Sequence, residues 1–547
     1  MASTAGDTSR PGFVDVVTTP ERRAAYLASG AWDDSTLAAR VALHAGARGD
    51  AVAVVDDSGR YTYGELARDA CAFAAALTAF GVAEGAVVSL QLPNRYETVV
   101  AAVAAQSLAA VINPLLPNYR AHELEHVWRT AGPKVVVIPD VYRDHDHRSL
   151  VASVAATTGV DPHVVVVGEP APGQSSFAAL LARHAGVGAL GAGRADAVSE
   201  VIFTSGTEAQ PKAIMHTEQT TNFSVRAAYD DLAMTDDDVV WMPSPVGHST
   251  GFNYGLRFAL YHGLPLVLQD RWDAAAALDL VVRERATYTL AATTFLQDLV
   301  ERAAATQTTV PWLSRFGCGG APVPPRLVDA AAAVGIGVLR LYGSTEVLVG
   351  SWNRPGSSAA QKRDTDGVAV TGVELRVLDE DDTPVDPGTP GELVTRGPNT
   401  CVGFFADPER TAAVFSPDGW VRSGDTVTVD DAGYLTVVGR KKEILIRGGM
   451  NIAPREIEDV LLGFPEVERA AVVGLPDERL GERTCACVVL RAGTALDLDT
   501  VVARFDAAGV ATYKWPQRLE VLAELPATAS GKIKKHVIVA DLLGEHA

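Results

Sequence analysis

The chain has 547 residues, of which 47% are hydrophobic, and a formal net charge of −20 at pH 7. At roughly 100 to 200 residues per domain, this length is too great for one core, and the hydrophobic content excludes a disordered chain. The acidity argues against a broad electrostatic grip on nucleic acid or anionic lipid, so any phosphate ligand must be held locally, as a nucleotide would be.

The cysteines and the N-terminal region predict the compartment. The five cysteines are scattered, odd in number and without zinc-ligand spacing, as expected for reduced thiols in a cytoplasmic protein. The first dozen residues are polar, and the alanine-rich run 99–112 is too short and too interrupted to span a bilayer. We therefore expect no membrane span, and a homodimer on base rates alone.

Short apolar runs alternate with helical patterns between about residues 51 and 345. A repeated strand-then-helix order predicts α/β layering. Apolar residues three and four positions apart predict core-facing helices at 274–285 and 326–334. The predicted strands are 87–92, 135–138, 201–203, 239–242, 264–268 and 338–341.

After residue 350 the pattern changes to turn-rich β segments, 368–378 and 391–396. A charged stretch then precedes roughly a hundred residues with strands and helices of their own, enough for a small independent domain. The predicted elements there are 456–462, 470–473, 485–490 and 498–507. We predict an α/β protein with a large N-terminal domain of layered α/β parts and a β-rich part (1–438), a hinge (439–442) and a small mobile α+β domain (443–547).

An apolar strand pattern ends in a small, hydroxyl-rich turn that closes on Pro211 and Lys212. Backbone N–H groups and hydroxyls in such a turn can point at an anion, glycine allows close approach, and the lysine adds a point charge. One residue conflicts with this interpretation, because Glu208 places a carboxylate inside the turn. The small residues of the turn are Thr204, Ser205, Gly206 and Thr207.

Four further segments carry chemistry, although each alone is ordinary. Tyr342 to Glu346 follows a buried-strand pattern and offers an aromatic ring, hydroxyls and a carboxylate for a base, a phosphate and Mg²⁺. Asp425 follows Ser423-Gly424 and could meet ribose hydroxyls. The others are the turn Gly319-Gly320-Ala321-Pro322 and the lysine-rich turn around Lys532.

Taken together in this order and spacing, these segments resemble the adenylate-forming superfamily, in particular its acyl-CoA synthetases. The resemblance covers nearly the whole chain, including Gly391-Glu392-Leu393, Gly439-Arg440, Gly448-Gly449 and Glu456-Ile457-Glu458. In such enzymes a carboxylate attacks the α-phosphorus of ATP and releases pyrophosphate, and a thiol then displaces AMP from the acyl-adenylate. The resemblance implies ATP or acyl-AMP, Mg²⁺ and CoA as ligands.

The resemblance also implies roles in adenylate formation. Tyr342 would stack on adenine, Thr345 would touch the α-phosphate, Glu346 would hold Mg²⁺, and Lys532 would neutralise charge that grows in the transition state. Asp425 would bind the ribose hydroxyls with Arg440 nearby. Nucleotide binding is expected at Thr204, Ser205, Gly206, Thr207, Lys212, Gly320, Ala321, Tyr342, Gly343, Asp425 and Arg440.

For the thioester half, the resemblance implies that the small domain swings about Lys442 and that Gly448 and Gly449 line the thiol tunnel. His248 would border the acyl pocket and act in catalysis, unless it is a hydrogen-bonded structural histidine. The stretch 289–295 and residues 252–255 are expected as pocket wall without an arginine for a second carboxylate, which predicts a hydrophobic acid. The pocket residues assigned are Phe252, Asn253, Thr294 and Gly319.

The phosphate turn departs from the family pattern, because Glu208, Ala209 and Ala213 replace a hydroxyl residue and two glycines. Loss of a positive-φ glycine costs about 1 kcal/mol, and a like-charge pair at ~4 Å repels by about 4 kcal/mol at an effective dielectric of ~20. One hypothesis follows: the acyl-AMP plus CoA half is intact, while ATP-dependent adenylation is impaired or lost and a separate enzyme supplies the adenylate. The alternative is that Glu208 turns to solvent.

Other functions remain to be weighed. His122-Glu123-Leu124-Glu125-His126 matches the H-E-x-x-H pattern of zinc peptidases, and His145-Asp146-His147 also has metal-ligand residue types. A complete two-step synthetase, a ligase that loads a carrier protein, a non-catalytic binding relative and an oxidative light-emitting relative share the family motifs. Lys532, Glu346 and Asp425 argue against the non-catalytic alternative.

Overall fold

The computed structural model describes residues 13–204, 211–320, 323–379, 381–440, 445–452, 454–526, 533 and 535–544. The described chain forms four sheets, here named A to D, and a two-stranded ribbon, Val141–Tyr142 with His145–Asp146. Sheets A to C belong to residues before 441 and are called the large lobe; sheet D belongs to residues after 444 and is called the small lobe.

Sheet A has nine strands, and its centre is parallel. Its strands are short and buried, rich in Val, Leu and aromatic residues, as a sheet covered by helices on both faces requires. In sheet order they are Val368–Ala369, Leu348–Trp352, Val338–Ser344, Arg315–Cys318, Tyr288–Ala291, Val240–Met242, Leu266–Leu268, Val52–Asp56 and Gly59–Thr62.

Sheet B has seven strands that are parallel except for the edge hairpin formed by Val198–Thr204 and Lys212–Thr217. In the sequence, the predicted phosphate turn stands between these two strands, and its residues 205–210 lie outside the described residues. The order across the sheet is Lys212–Thr217, Val198–Thr204, Val111–Pro114, Val87–Leu90, Val135–Pro139, His163–Val167 and Ser175–Ser176.

Sheets C and D are smaller. Sheet C is antiparallel, with Glu374–Leu378, Gly391–Arg396, Val421–Val429 and Leu435–Arg440. Sheet D contains Met450–Ile452, Leu445–Arg447, Gly481–Leu490 and Val467–Asp477, and Arg518–Val521 pairs in parallel with the third of these. The chain thus changes sheets between 440 and 445. The exact domain bounds and the hinge role of Lys442, which lies outside the described residues, stay predictions.

Helices cover the sheets, and most begin at a side-chain cap. Thr62 and Glu65, for example, form a reciprocal capping box at the start of Tyr63–Ala79. Residues Phe252–Arg257 form a π-helix and Thr512–Lys514 a 3₁₀-helix. The α-helices are Pro20–Ala28, Leu37–Arg48, Tyr63–Ala79, Tyr96–Ser107, Ala121–Ala131, His147–Thr158, Phe177–Arg183, Glu218–Asp231, Ser249–Gly251, Phe258–His262, Ala274–Glu284, Thr293–Ala305, Pro325–Ala333, Ala359–Asp364, Pro408–Val414, Pro454–Leu462, Leu498–Ala507 and Lys535–Leu543.

The α/β class and the smaller C-terminal part predicted from the sequence are confirmed by this architecture. Predicted strands and helices recur with end shifts of a few residues, and Gly391–Arg396 and Leu498–Ala507 match their predicted bounds. No helix within the described ranges is both long and apolar enough to cross a membrane.

Candidate active site

A cavity of about 200 Å³ lies where the large and small lobes meet. The carboxyl ends of parallel strands in sheet A open onto it, which is the usual ligand position in an α/β sheet. These ends supply Ser244, Leu290, Ala291, Gly319, Leu341, Gly343 and Ser344. Sheet B adds Thr204 and Lys212, sheet C adds Ser423 and Asp425, and the small lobe adds Gly448, Gly449 and Met450.

Lys212 and Glu346 form an ion pair in the cavity wall. Burial would raise the pKa of Glu346, but the adjacent Lys212 ammonium group and the hydrogen bonds to the carboxylate together outweigh it and lower this pKa to about 2. Glu346 is therefore an anion at neutral pH. The pair joins the residue that ends the phosphate turn to the residue predicted to hold Mg²⁺, although the two lie 134 positions apart in the chain.

A buried histidine that the sequence interpretation missed supports the neighbouring Thr345. The Nε2 atom of His216 lies 2.7 Å from the Thr345 carbonyl oxygen, and its Nδ1 atom lies 3.0 Å from the Thr220 hydroxyl. Burial lowers the pKa of His216, so the neutral ring is favoured. Thr345 itself lines the cavity. A single histidine directly after the apolar run 213–215 was the available signal.

Asp425 is oriented from two sides. The Tyr342 hydroxyl donates a hydrogen bond to the Asp425 carboxylate (2.8 Å), and the Asp425 backbone N–H donates to the Ser423 hydroxyl (3.0 Å). Arg440 pairs with Asp425 across sheet C, so the two expected ribose-site residues lie on facing strands. Tyr342 is buried beside the cavity, while its chain neighbours Leu341 and Gly343 line it.

Part of the cavity wall is mainly apolar. Tyr254 contributes its ring, since its hydroxyl is bound to Ser224 (2.5 Å) and to the Val349 N–H (2.8 Å). The remaining wall there contains Pro245, Leu290, Ala291, Ala292, Phe295, Leu348 and Val349, with Ser249 and Thr250 as polar members.

The structure revises the expected pocket wall. Gly319 lines the cavity, but Phe252, Asn253 and Thr294 do not. Phe252 and Asn253 are fully buried, and the Asn253 amide donates to Glu200 (2.9 Å). The π-helix explains the difference, because its widened turn presents Tyr254 to the cavity and holds the residues on either side in the core.

His248 also lines the cavity. Its Nδ1 atom accepts a hydrogen bond from the Thr250 backbone N–H (3.2 Å), so the neutral ring carries its proton on Nε2. Burial lowers the pKa of His248, which favours this neutral form. The ring is thus both a helix cap and a potential donor in the cavity.

The small lobe closes one side of the cavity through Gly448 and Gly449. Gly449 has φ of +79°, and a Cβ atom on it would lie 2.5 Å from the Ala292 Cβ. Both the backbone conformation and the contact with the large lobe therefore require glycine here.

Several predicted site residues lie outside the described residues: Ser205, Gly206, Thr207, Glu208, Ala209, Ala321, Lys442 and Lys532. Ala213, by contrast, is described. It pairs with Phe203 in regular antiparallel strand geometry and has no positive φ. The expectation that an alanine strains this position is therefore wrong, since L-residues adopt strand geometry freely.

The H-E-x-x-H segment does not form a zinc site. His122 lies 3.4 Å from Glu456, Glu123 lies 3.2 Å from Lys514, and the His126 ring nitrogen lies 3.1 Å from the Pro211 carbonyl oxygen. His147 likewise bonds to the Pro117 carbonyl oxygen (2.9 Å). Within the part of the chain that the structure describes, no group of three or more His, Cys, Asp or Glu side chains could hold a metal ion.

A cavity at the carboxyl end of an α/β sheet, lined by an anchored carboxylate, a lysine and a second lobe, is typical of a nucleotide-binding site. Residues 41–405 match the AMP-binding enzyme family, and residues 456–532 match the AMP-binding enzyme C-terminal domain. The chain belongs to the AMP-binding enzyme family.

Named relatives span almost the whole chain. It is 37% identical to a medium-chain fatty-acid–CoA ligase of Escherichia coli over 527 residues, covering 96% of this chain and 93% of the relative. It is 33% identical to a salicylyl-CoA synthase / salicylate adenylyltransferase of a Streptomyces species, covering 93% and 94%. A solved double mutant of the o-succinylbenzoate CoA synthetase of Bacillus subtilis, bound with a product analogue, superposes with a TM-score of 0.82 at 25% identity, covering 92% and 98%.

Proposed function

We propose that this protein joins a hydrophobic carboxylic acid to coenzyme A through an acyl-adenylate. One observation carries the proposal: residues 448–450 of the small lobe line the same cavity as the Lys212–Glu346 pair, Asp425 and the apolar pocket. The residues proposed to bind the nucleotide, the acyl group and the thiol arm thus line one cavity. That arrangement suits an adenylate attacked by a thiol.

In the first half, a carboxylate oxygen of the acid bonds to the α-phosphorus of ATP, and the bond to the pyrophosphate oxygen breaks. Asp425 holds the ribose, and Lys212 and the phosphate turn hold the phosphates. Glu346 fits a bound Mg²⁺, because a hard carboxylate oxygen with phosphate oxygens and waters is the usual ligand set. The ion would neutralise phosphate charge there. When ATP binds, the Lys212 ammonium group would pair with a phosphate oxygen in place of the Glu346 carboxylate.

In the second half, the sulfur of CoA bonds to the acyl carbonyl carbon, the bond from that carbon to the phosphate oxygen breaks, and AMP leaves with the thiol proton lost to solvent. Gly448 and Gly449 leave room for the thiol arm. The Nε2–H of neutral His248 is available to hold the acyl oxygen or the leaving phosphate.

The acid is hydrophobic and carries a single carboxylate. Among the described lining residues Lys212 is the only Lys or Arg side chain, and it lies at the phosphate end. Tyr254, Phe295 and the aliphatic wall would bury the acyl body. The names of the relatives support a medium-chain fatty acid first and an aromatic acid second.

A finer part of the proposal concerns the balance of the two halves. Glu208 stands four positions before Lys212, within the phosphate turn, and would weaken the hold on the β- and γ-phosphates more than the hold on AMP. Adenylation is then the weaker half, and a separate adenylating enzyme could supply the intermediate. Ala213 no longer supports this idea, because it sits unstrained in a strand.

The experiment measures the two halves separately. Purified protein is given octanoate or salicylate with ATP and Mg²⁺, and pyrophosphate release is followed; in parallel it is given octanoyl-AMP or salicyl-AMP with CoA, and thioester formation is followed. We expect thioester formation from an adenylate. Absence of thioester from every adenylate, with CoA or with a phosphopantetheine carrier as acceptor, would contradict the proposal.

Two variants test the finer part. Glu208→Thr should raise the rate of pyrophosphate release and leave thioester formation unchanged, whereas Glu346→Gln should lower pyrophosphate release about a hundredfold. Wild-type pyrophosphate release as fast as thioester formation would show that Glu208 does not impair adenylation.

A further inference from the structure

Helix Ala121–Ala131 of the large lobe, here called the bridging helix, meets the small lobe at its first turn. Glu123 is buried, although carboxylates are seldom fully buried unless they are paired. One of its oxygens accepts the Arg120 backbone N–H (2.9 Å) and so caps the helix. The other accepts the Ala511 backbone N–H of the small lobe (3.0 Å).

The same oxygen of Glu123 lies 3.2 Å from the Lys514 ammonium group. Lys514 is also buried and lies 2.6 Å from Glu456, which belongs to its own lobe. His122 of the bridging helix approaches Glu456 at 3.4 Å. We call these four side chains the junction cluster. It balances two carboxylates with one ammonium group and one imidazole.

The backbone at the junction is equally close. Gly509 of the small lobe has φ of +70°, and a Cβ atom on it would lie 3.3 Å from the Ala121 Cβ and 3.4 Å from the Ala121 backbone nitrogen. The bridging helix therefore begins directly against the small lobe. This contact is separate from the Gly449–Ala292 contact at the cavity and from the Arg479–Asp298 ion pair (3.7 Å), so several separate contacts fix the orientation of the small lobe.

Glu123 differs from the other carboxylate in one respect. Glu456 and Lys514 can stay paired whatever the position of the small lobe, because both belong to it. Glu123 meets Lys514 and Ala511 only while the lobes are docked as observed, and this docking places Gly448 and Gly449 at the cavity. Its charge stabilises that orientation selectively.

We propose that Glu123 is a positioning residue, which together with His122 and Lys514 holds the small lobe in the orientation for thioester formation. The proposal rests on the function proposed above. Glu123 contacts neither the nucleotide nor the acyl group, since it is absent from the described cavity wall. Its effect is confined to the half of the reaction that uses the docked orientation.

The test compares Glu123→Gln with Glu125→Gln. Glutamine keeps the length of Glu123 but has one oxygen and one NH2 group, so it removes the charge and can accept only one of the Arg120 and Ala511 N–H bonds. Glu125 lies on the same helix but pairs with Arg129 (3.2 Å) near the surface. We expect Glu123→Gln to slow single-turnover thioester formation from octanoyl-AMP and CoA about tenfold, because one partner of a buried charge is lost. Glu123→Lys, which opposes Lys514, should slow it about a hundredfold.

Two readouts separate positioning from a general structural role. The affinity for AMP, measured by calorimetry, should stay within about twofold of the wild-type value, because the residues expected to bind the nucleotide precede residue 441. The rate of pyrophosphate release should not fall, because adenylation does not use the docked orientation. Solution X-ray scattering should show a larger radius of gyration for Glu123→Lys than for Glu125→Gln.

The outcomes are distinct. An unchanged thioester rate and an unchanged scattering profile in Glu123→Lys would overturn the proposal, and so would an equal loss in both halves together with loss of AMP affinity. If the wild-type protein forms no thioester at all, the proposed function fails, and the scattering comparison alone still decides whether the junction cluster docks the small lobe.

Discussion

Two buried charge clusters in this protein share one arrangement, a basic side chain between two glutamates, but connect different parts of the molecule. In the junction cluster a single lysine lies between Glu123 and Glu456, which come from different lobes. In the core, Arg257 lies between Glu218 (2.9 Å) and Glu200 (3.5 Å), both from the large lobe. Each places one cation between two carboxylates.

The type of basic residue differs according to whether its two glutamate partners lie in one lobe or in two. Arg257 uses its planar fork to bind Glu218, Asn253 and Asn222 at once, at 2.9 to 3.0 Å, and all of it is buried. Lys514 is a point charge that keeps one partner when the other leaves. The comparison teaches that buried charge can fasten a fold permanently or hold two lobes reversibly, depending on whether its partners share a rigid body.

Making the junction permanent should have the largest effect. Gly509→Cys with Ala121→Cys places two Cβ atoms near 3.3 Å apart, slightly inside the usual disulfide distance of about 3.8 Å. We expect the oxidised protein to form thioester from octanoyl-AMP and to lose ATP-driven turnover, because the small lobe can no longer leave. Dithiothreitol should restore turnover.

Each single-cysteine variant serves as the control for this cross-link, and Cys71→Ser removes the one native cysteine that is not buried. ATP-driven turnover that continues at the wild-type rate in fully oxidised protein would show that the lobes need not separate.

Breaking the core cluster should lower the stability of the folded protein. Arg257→Met leaves Glu200 and Glu218 buried without a cation, and we expect the free energy of unfolding to fall by about 3–5 kcal/mol. Arg283→Met, at an exposed arginine beside Glu284, should change it by less than about 0.5 kcal/mol. Urea titration followed by intrinsic fluorescence measures both; equal midpoints for the two variants would refute the expectation.

The two lobes also touch at the cavity, where Gly449 lies against Ala292, and a substitution can disrupt this contact. A methyl group at Gly449 meets Ala292 and strains a positive φ, so Gly449→Ala should lower the rate of thioester formation about tenfold while leaving pyrophosphate release unchanged. Gly493→Ala has the same backbone strain (φ of +80°) with no atom nearby, and we expect it to leave both rates unchanged.

The smallest expected effect is a pH dependence of docking. The hydrogen bond to Glu456 raises the pKa of His122 against the effect of burial; the Glu123 charge also raises it, and Lys514 lowers it. Because the pKa is raised, protonated His122 favours docking below about pH 6.5, and this contribution is lost as the pH rises through the raised value. We expect the thioester rate of wild type relative to His122→Asn to fall about threefold from pH 6 to pH 8.5. A constant ratio would exclude a role for this proton.

The elements of the fold could be predicted because local patterns determine them. Leu498–Ala507 has Asp497 as its N-cap and apolar residues at helical spacing, and Gly391–Arg396 alternates between two turn signals. The family motifs likewise predicted the cavity residues Lys212, Glu346, Asp425 and Gly449, since each motif is contiguous.

What could not be predicted depends on contacts distant in sequence. The segment 122–126 has the spacing of zinc ligands, but its role is decided by Lys514, which lies 391 positions after Glu123. Ala213 is a second example, because the family motif has a glycine there but the residue lies in a strand in this protein. Asn253 is a third, because the π-helix turns it away from the cavity.

The π-helix Phe252–Arg257 also limits how the acyl pocket can adapt. Tyr254 forms part of the wall, while Asn253 and Arg257 on the same short helix are bound into the core cluster. This wall cannot recede for a bulkier acid without separating buried charges. Selectivity in this protein is therefore tied to the size of individual side chains, and a broader acid range requires trimming them rather than loosening the backbone behind them.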